Sequence, residues 1–232
     1  MCCAMYNALK WIEPVSMAAV PAVLLLCALL GADHAALLSI LVAGCALLPF
    51  FLRYEMAKPR PRDMMPVAVL AAVAAVGRIV FAPFPNFTPV SAIVIVAAVC
   101  FGRQSGFLTG VLAALASNLF FGQGAWTPWQ MYAWGIVGFF AGLLQEKGFF
   151  KKNSTVYIYG AVSAFLFGFI MDSWYIVGFV TPITWQGALA AYLAGAPFNL
   201  SHCISTVFFL ILILAPWGKK LKRIKTKFGL RA

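Results

Sequence analysis

The stretch GFLTGVLAALASNLFFGQGAWTPWQMYAWGIVGFFAG (residues 106–142) reads as two apolar helices joined by a charge-free loop. The loop carries Trp126 and Trp129, and Asn118, Gln123 and Gln130 gather at the same junction. A lipid-exposed loop gains little from such side chains. Polar groups beside aromatics at one end of a helix pair point instead to a site for a bulky, partly apolar solute.

The rest of the chain has the composition that such a reading needs. Apolar residues make up 63% of the 232 and charged residues 10%, with a mean hydropathy of +0.93. A soluble domain is about half apolar and a quarter charged. The expected class is therefore an all-α integral membrane protein. At roughly 20 residues per crossing the chain holds about eight helices, with no room for a soluble catalytic or nucleotide-binding domain. A net charge of +11 does not imply nucleic acid, because seven of the 17 Lys and Arg follow the last apolar segment. That pattern is a cytoplasmic tail near anionic lipid. Cys27, Cys45, Cys100 and Cys203 lie within apolar segments without metal-ligand spacing and read as small hydrophobes. Cys2 and Cys3 precede any hydrophobic stretch and are not a lipoprotein cleavage site.

Two apolar runs, residues 15–31 and 35–52, form an expected N-terminal helical hairpin. The basic, proline-bearing RYEMAKPRPRD (residues 53–63) then marks the clearest boundary. Six further segments follow, at about 67–84, 90–101, 107–121, 129–144, 156–177 and 188–217. The expected organisation is a hairpin and linker at 1–62, a six-helix domain at 63–218 and a basic tail at 219–232. Lys and Arg fall in alternate loops: Arg53, Lys58, Arg60 and Arg62, then Arg103, then Lys147, Lys151 and Lys152, then the tail. The intervening FPNFTP, FGQGAWTPWQ and FVTPITWQG carry no charge. The positive-inside rule then places both termini in the cytoplasm and those three loops outside.

Arg78 alone escapes that rule. It lies near the outer end of its segment, level with Asp172 on another, so the two are either a structural pair or ligands of one polar solute. Asn118 sits at similar depth; Asn199 and His202 lie deeper, and His202 reads as a hydrogen-bonded interior histidine. Small residues four apart recur in Gly106, Gly110 and Ala114, in Gly138 and Gly142, and in Gly160, Ala164 and Gly168, which is the pattern of close helix contact in lipid. The first row, extended one turn, turns Asn118 toward the interior. Ala68 with Ala72 faces away from Arg78, and Ala71 pairs with Ala75; such rows are ordinary packing or a flat docking face. The chain shows no internal repeat, no phosphate-binding glycine motif and no catalytic or metal-ligand constellation.

The basic stretch followed by AVLAAVAAVGRIVFAPFPNFTPVSAIVIVAAVCFGRQSGFLTGVLAALASNLFFGQGAWTPWQMYAWGIVGFFAGLL (residues 68–144) resembles the substrate-binding S component of energy-coupling factor (ECF) transporters. SNLFFGQGAWTPWQM is its specific part. The resemblance implies a six-helix bundle, here preceded by an extra hairpin, in a prokaryotic cell membrane. It implies no catalysis and no cofactor of the chain's own. Its partners would be a vitamin, the lipid bilayer, a transmembrane coupling protein and two ATPase subunits that use ATP. Ala68, Ala71, Ala72 and Ala75 would form the coupling face, and the loops at 84–89 and 121–129 the lid. The binding set would be Arg78, Asn86, Asn118, Gln123, Trp126, Trp129, Gln130, Trp134, Asp172, Tyr175 and Asn199.

The WTPWQM-containing sequence is most similar to cobalamin-type S components, which implies cobalamin or a related corrinoid. Riboflavin or another aromatic vitamin suits many of the same residues, and a membrane enzyme or accessory protein of corrinoid or lipid metabolism is the alternative of a different class. No cysteine is expected near the outer pocket to ligate a cobalt, and His202 reaches one only in a deep pocket.

Overall fold

A computed structural model of the chain describes residue 22 and residues 35–56 and 59–230. Apart from residue 22, the expected first apolar run, residues 15–31, lies outside the described residues, as do Cys2, Cys3 and Cys27. Within them the protein is all-α. The helices are α1 (Ala35–Met56), α2 (Pro61–Val80), α3 (Val90–Phe101), α4 (Arg103–Phe121), α5 (Thr127–Glu146), α6 (Asn153–Phe179) and α7 (Trp185–Phe228).

The bundle is built around α3. Its sequence, VSAIVIVAAVCF, is apolar all round, and every residue except Val99 is buried. A helix with no polar face must be covered on all sides, and here α2, α4, α5 and α7 cover it. At 12 residues it is about 18 Å long, short of the roughly 30 Å hydrocarbon core. Short and enclosed by its neighbours, α3 is an interior post of the bundle.

Among the described residues four helices, α2, α4, α6 and α7, are long and apolar enough to cross a membrane. α5 has comparable length, but Thr127, Gln130 and Tyr132 in its first turns dilute its apolar character. Outward-facing side chains on α6 and α7, including Phe165, Phe169, Leu193, Phe198 and Ile211, are large and apolar. Water would not tolerate so continuous a surface, and lipid does. The protein is membrane-embedded.

The tightest pair is α4 with α5. A Cβ on Gly138 would strike the backbone carbonyl of Gly106, and one on Gly110 would strike the backbone of Trp134. The small-residue rows thus let two backbones touch, as close packing in lipid requires. Gly160 and Gly168 play the same part between α6 and α7, against Leu210 and Asn199. α1 lies outside this core: Phe50 stacks on Phe107 at 3.8 Å and meets Phe139 edge-on at 5.4 Å.

Charge separates the two ends of the bundle. Arg60 donates to the Gly229 carbonyl at 2.7 Å, Lys225 to the Cys100 carbonyl at 3.0 Å, and Arg103 pairs with Glu146 at 3.6 Å. Each contact joins two basic-loop regions, so those regions share one end. The loops after α2, α4 and α6 share the other, where the 81–89 turn is tied to α7 by Ser201 and Ser205 donating to the Pro85 and Thr88 carbonyls. The expected boundary at 218/219 falls inside α7. The helix continues because Leu221, Ile224 and Phe228 form an apolar stripe that lines a groove with Met65, Pro66 and Leu70 of α2.

Candidate functional site

The uncharged end holds a connected set of polar side chains. Asn118, on the last turn of α4, is fully buried. Its Oδ1 accepts from Arg78 Nη1 at 2.8 Å, and its Nδ2 donates to Thr127 Oγ1 at 3.0 Å and Gln130 Oε1 at 2.9 Å. Every atom of the amide is therefore used, which fixes its orientation. Ser117 adds a second acceptor for Arg78 Nη1 at 2.7 Å. The guanidinium carbon of Arg78 lies 4.9 Å from the Phe121 ring centre and 5.1 Å from that of Trp134. Two such contacts are each worth about 0.5–2 kcal/mol, more as water is excluded.

Trp134 is itself held in place. Its Nε1 donates to Ser91 Oγ at 3.1 Å, and Ser91 Oγ lies 2.9 Å from His202 Nε2. Phe167 of α6 stacks between the two rings, 4.7 Å from Trp134 and 4.9 Å from His202. Ser91 and His202 have the atoms of a nucleophile and base, but both are buried. With the indole donating to Ser91, the hydroxyl proton goes to His202, and the pair orients the tryptophan plate beside Arg78.

The cluster brings together four of the residues expected from sequence: Arg78, Asn118, Gln130 and Trp134. Arg78 and Asp172 are not partners. Asp172 accepts from Asn199 Nδ2 at 2.8 Å, in a separate α6–α7 contact where Gly168 and Gly195 leave room for the amide and carboxylate. Depth along two helices matched, but their facing directions do not. Asn86 stands exposed in the 81–89 turn, in a left-handed conformation that asparagine tolerates (φ 54°). Gln123 is exposed, its Nε2 donating to the Leu115 carbonyl at 3.1 Å, and so ties down the end of α4.

The expected tryptophans divide. Trp126, at the start of α5, is 38% exposed on the rim, whereas Trp129 is wholly buried in the cluster that packs on α1. Trp129 is three residues from Trp126 but one from Gln130, so a 100° step turns it away from the site. Tyr175 points outward, its ring 5.6 Å from Phe179. Of the alanines, Ala68 and Ala72 are exposed while Ala71 and Ala75 are buried in α2's inner face. The expected four-alanine face is corrected to two, and Ala68 lines a groove of about 450 Å³ between α1, α2 and α4.

Ser117, Thr127, Ser91 and Phe121 were not anticipated. Thr127, Gln130 and Trp134 recur at three and four residues, so the helical period alone places Thr127 on the site face. Among the described residues no group of His, Cys, Asp and Glu is arranged to hold a metal.

These features define a membrane-embedded helical bundle with a polar and aromatic cluster around Arg78 and Asn118 at the end whose loops carry no charge. The chain belongs to a family of unknown function, DUF6580, whose profile matches residues 58–222. The match begins in the basic linker and runs through α7 past Trp217, so it takes in every residue of the cluster. No solved structure matches the chain.

Proposed function

We propose that the chain is the membrane-embedded substrate-binding subunit of an ATP-driven ECF-type vitamin uptake transporter, with cobalamin or a related corrinoid as its solute. The observation that carries this reading is the Asn118 hub, which holds Arg78 and Gln130 together beside Trp134 at the uncharged end. Such a cluster binds: its donors and plates are preorganised, and the Ser91–His202 contact is buried beneath them. In this reading the uncharged end faces outside, both termini are cytoplasmic in a prokaryotic membrane, and the full chain has about eight membrane segments, the N-terminal hairpin among them. The solute enters beneath the 84–89 and 121–129 loops. ATP is used by two partner ATPases, and a transmembrane coupling protein docks on α2.

Docking is the testable part. Ala68 and Ala72 lie one turn apart on the exposed face of α2, among Met65, Val69, Val73 and Val76. Ala72→Trp places a large ring on that face without touching Arg78 or Asn118. In liposomes holding the chain with its coupling protein and ATPases, this variant is expected to bind solute with unchanged affinity and to lose transport at least about tenfold. Uptake should also require the ATPases. Transport by the chain alone, or full transport by Ala72→Trp, would refute the reading or its docking face respectively.

A further inference from the structure

Building on the binding-subunit reading, we propose that the solute carries an oxyanion, a phosphate diester or carboxylate, which pairs with Arg78 and supplies a counter-charge that the described bundle does not. The sequence has six acidic residues, of which Glu55, Asp63, Glu146 and Asp172 are among those described. Three of the four are at the basic end. Asp63 bonds Arg60, Glu146 pairs with Arg103, and Glu55 lines the groove beside Met64 in the first turns of α2. Asp172, the fourth, is engaged with Asn199.

Among the described residues the Arg78 guanidinium therefore meets only neutral oxygens, those of Ser117 and Asn118, and meets both through Nη1. Among the described residues its Nε and Nη2 have no hydrogen-bond partner. Those two nitrogens form one edge of the guanidinium, the edge that takes a carboxylate or phosphate through two parallel bonds. The rings of Phe121 and Trp134 keep the side chain's position and lower the local dielectric. A cation without a counter-ion inside an apolar bundle is costly, and an anion that arrives with the solute removes that cost. The site should thus favour anionic over neutral solutes of the same shape.

Corrinoids provide the matched pair for a test. Cyanocobalamin has a phosphodiester in its nucleotide loop, and dicyanocobinamide keeps the corrin ring without it. Dissociation constants for both would be measured on the full chain in detergent, for the native protein, Arg78→Gln and Arg78→Lys. Arg78→Gln is expected to weaken cyanocobalamin about 30- to 300-fold and dicyanocobinamide less than threefold. Arg78→Lys, which keeps the charge and loses the fork, should fall between, and serves if Arg78→Gln does not fold. Equal weakening of both ligands, or of neither, would overturn the anion pairing while leaving corrinoid binding in place.

If the native protein binds neither corrinoid, the corrinoid reading fails and the anion pairing is judged with inorganic phosphate. A rise in melting temperature with phosphate over chloride at equal ionic strength, lost in Arg78→Gln and reduced in Arg78→Lys, would uphold it. No such rise would overturn it.

Discussion

Asn118→Leu is expected to remove solute binding and to destabilise the protein together. Leucine has the branched outline of asparagine but is bulkier and has none of its donors or acceptors. The change strips one acceptor from Arg78 and leaves Gln130 Oε1 without the amide that now reaches it at 2.9 Å. Each orphaned buried group costs about 1–3 kcal/mol, more where one is charged. The combined loss is about 2–5 kcal/mol, visible as a clear drop in melting temperature in detergent. Binding should weaken at least about 100-fold, because Arg78 and Gln130 are no longer held in one arrangement. A stable Asn118→Leu protein with native affinity would show that the hub does not organise the site.

The second large effect is structural. Gly138→Val would push two methyl groups into the Gly106 carbonyl, which is backbone of the neighbouring helix and has no rotamer to escape into. Overpacking a core costs about 1–3 kcal/mol when side chains can yield, and more when they cannot. Here α4 and α5 must separate, and with them the Asn118 contacts to Thr127 and Gln130 that bridge the two helices. Little monodisperse protein should be recovered by size-exclusion chromatography. Gly44→Ala is the control: its Cβ would meet nothing within 4 Å, and alanine favours a helix by about 1 kcal/mol. It should match the native protein in yield or exceed it.

The difference between these two glycines was legible in the sequence, because Gly106, Gly110, Gly138 and Gly142 recur at the four-residue spacing of close helix contact while Gly44 has no such partner. The limits of α3 were legible for a related reason. Pro89 precedes it and Gly102, with φ 92°, ends it. What periodicity could not supply was the mutual rotation of distant helices. Arg78 and Asp172 were matched by depth, but whether two side chains face each other depends on how α2 and α6 are turned in the bundle, and each turned to an uncharged partner on a closer helix. Ser117 was passed over because a helical serine usually satisfies itself on its own backbone. It does so here, donating to the Ala114 carbonyl at 3.2 Å, and its oxygen accepts from Arg78 as well.

α7 runs on past residue 219, where the basic tail was expected to begin. The charges after Trp217 mark the end of the apolar segment, and the helix outlasts it. Gly229, in the left-handed conformation with φ 53°, is the actual stop, and its carbonyl takes the hydrogen bond from Arg60. The basic tail is thus a helix packed on the start of α2, at the end of the molecule opposite the Asn118 hub.

On the proposed function, this bundle is expected to bind a corrinoid without help from partner subunits or ATP. The most direct measurement is a visible absorption spectrum of the detergent-purified chain, taken after incubation with cyanocobalamin and desalting. Corrinoids are coloured, so retention is read without a label. About one equivalent is expected to stay with the native protein and almost none with Asn118→Leu. A colourless native protein, or equal colour in both, would contradict it.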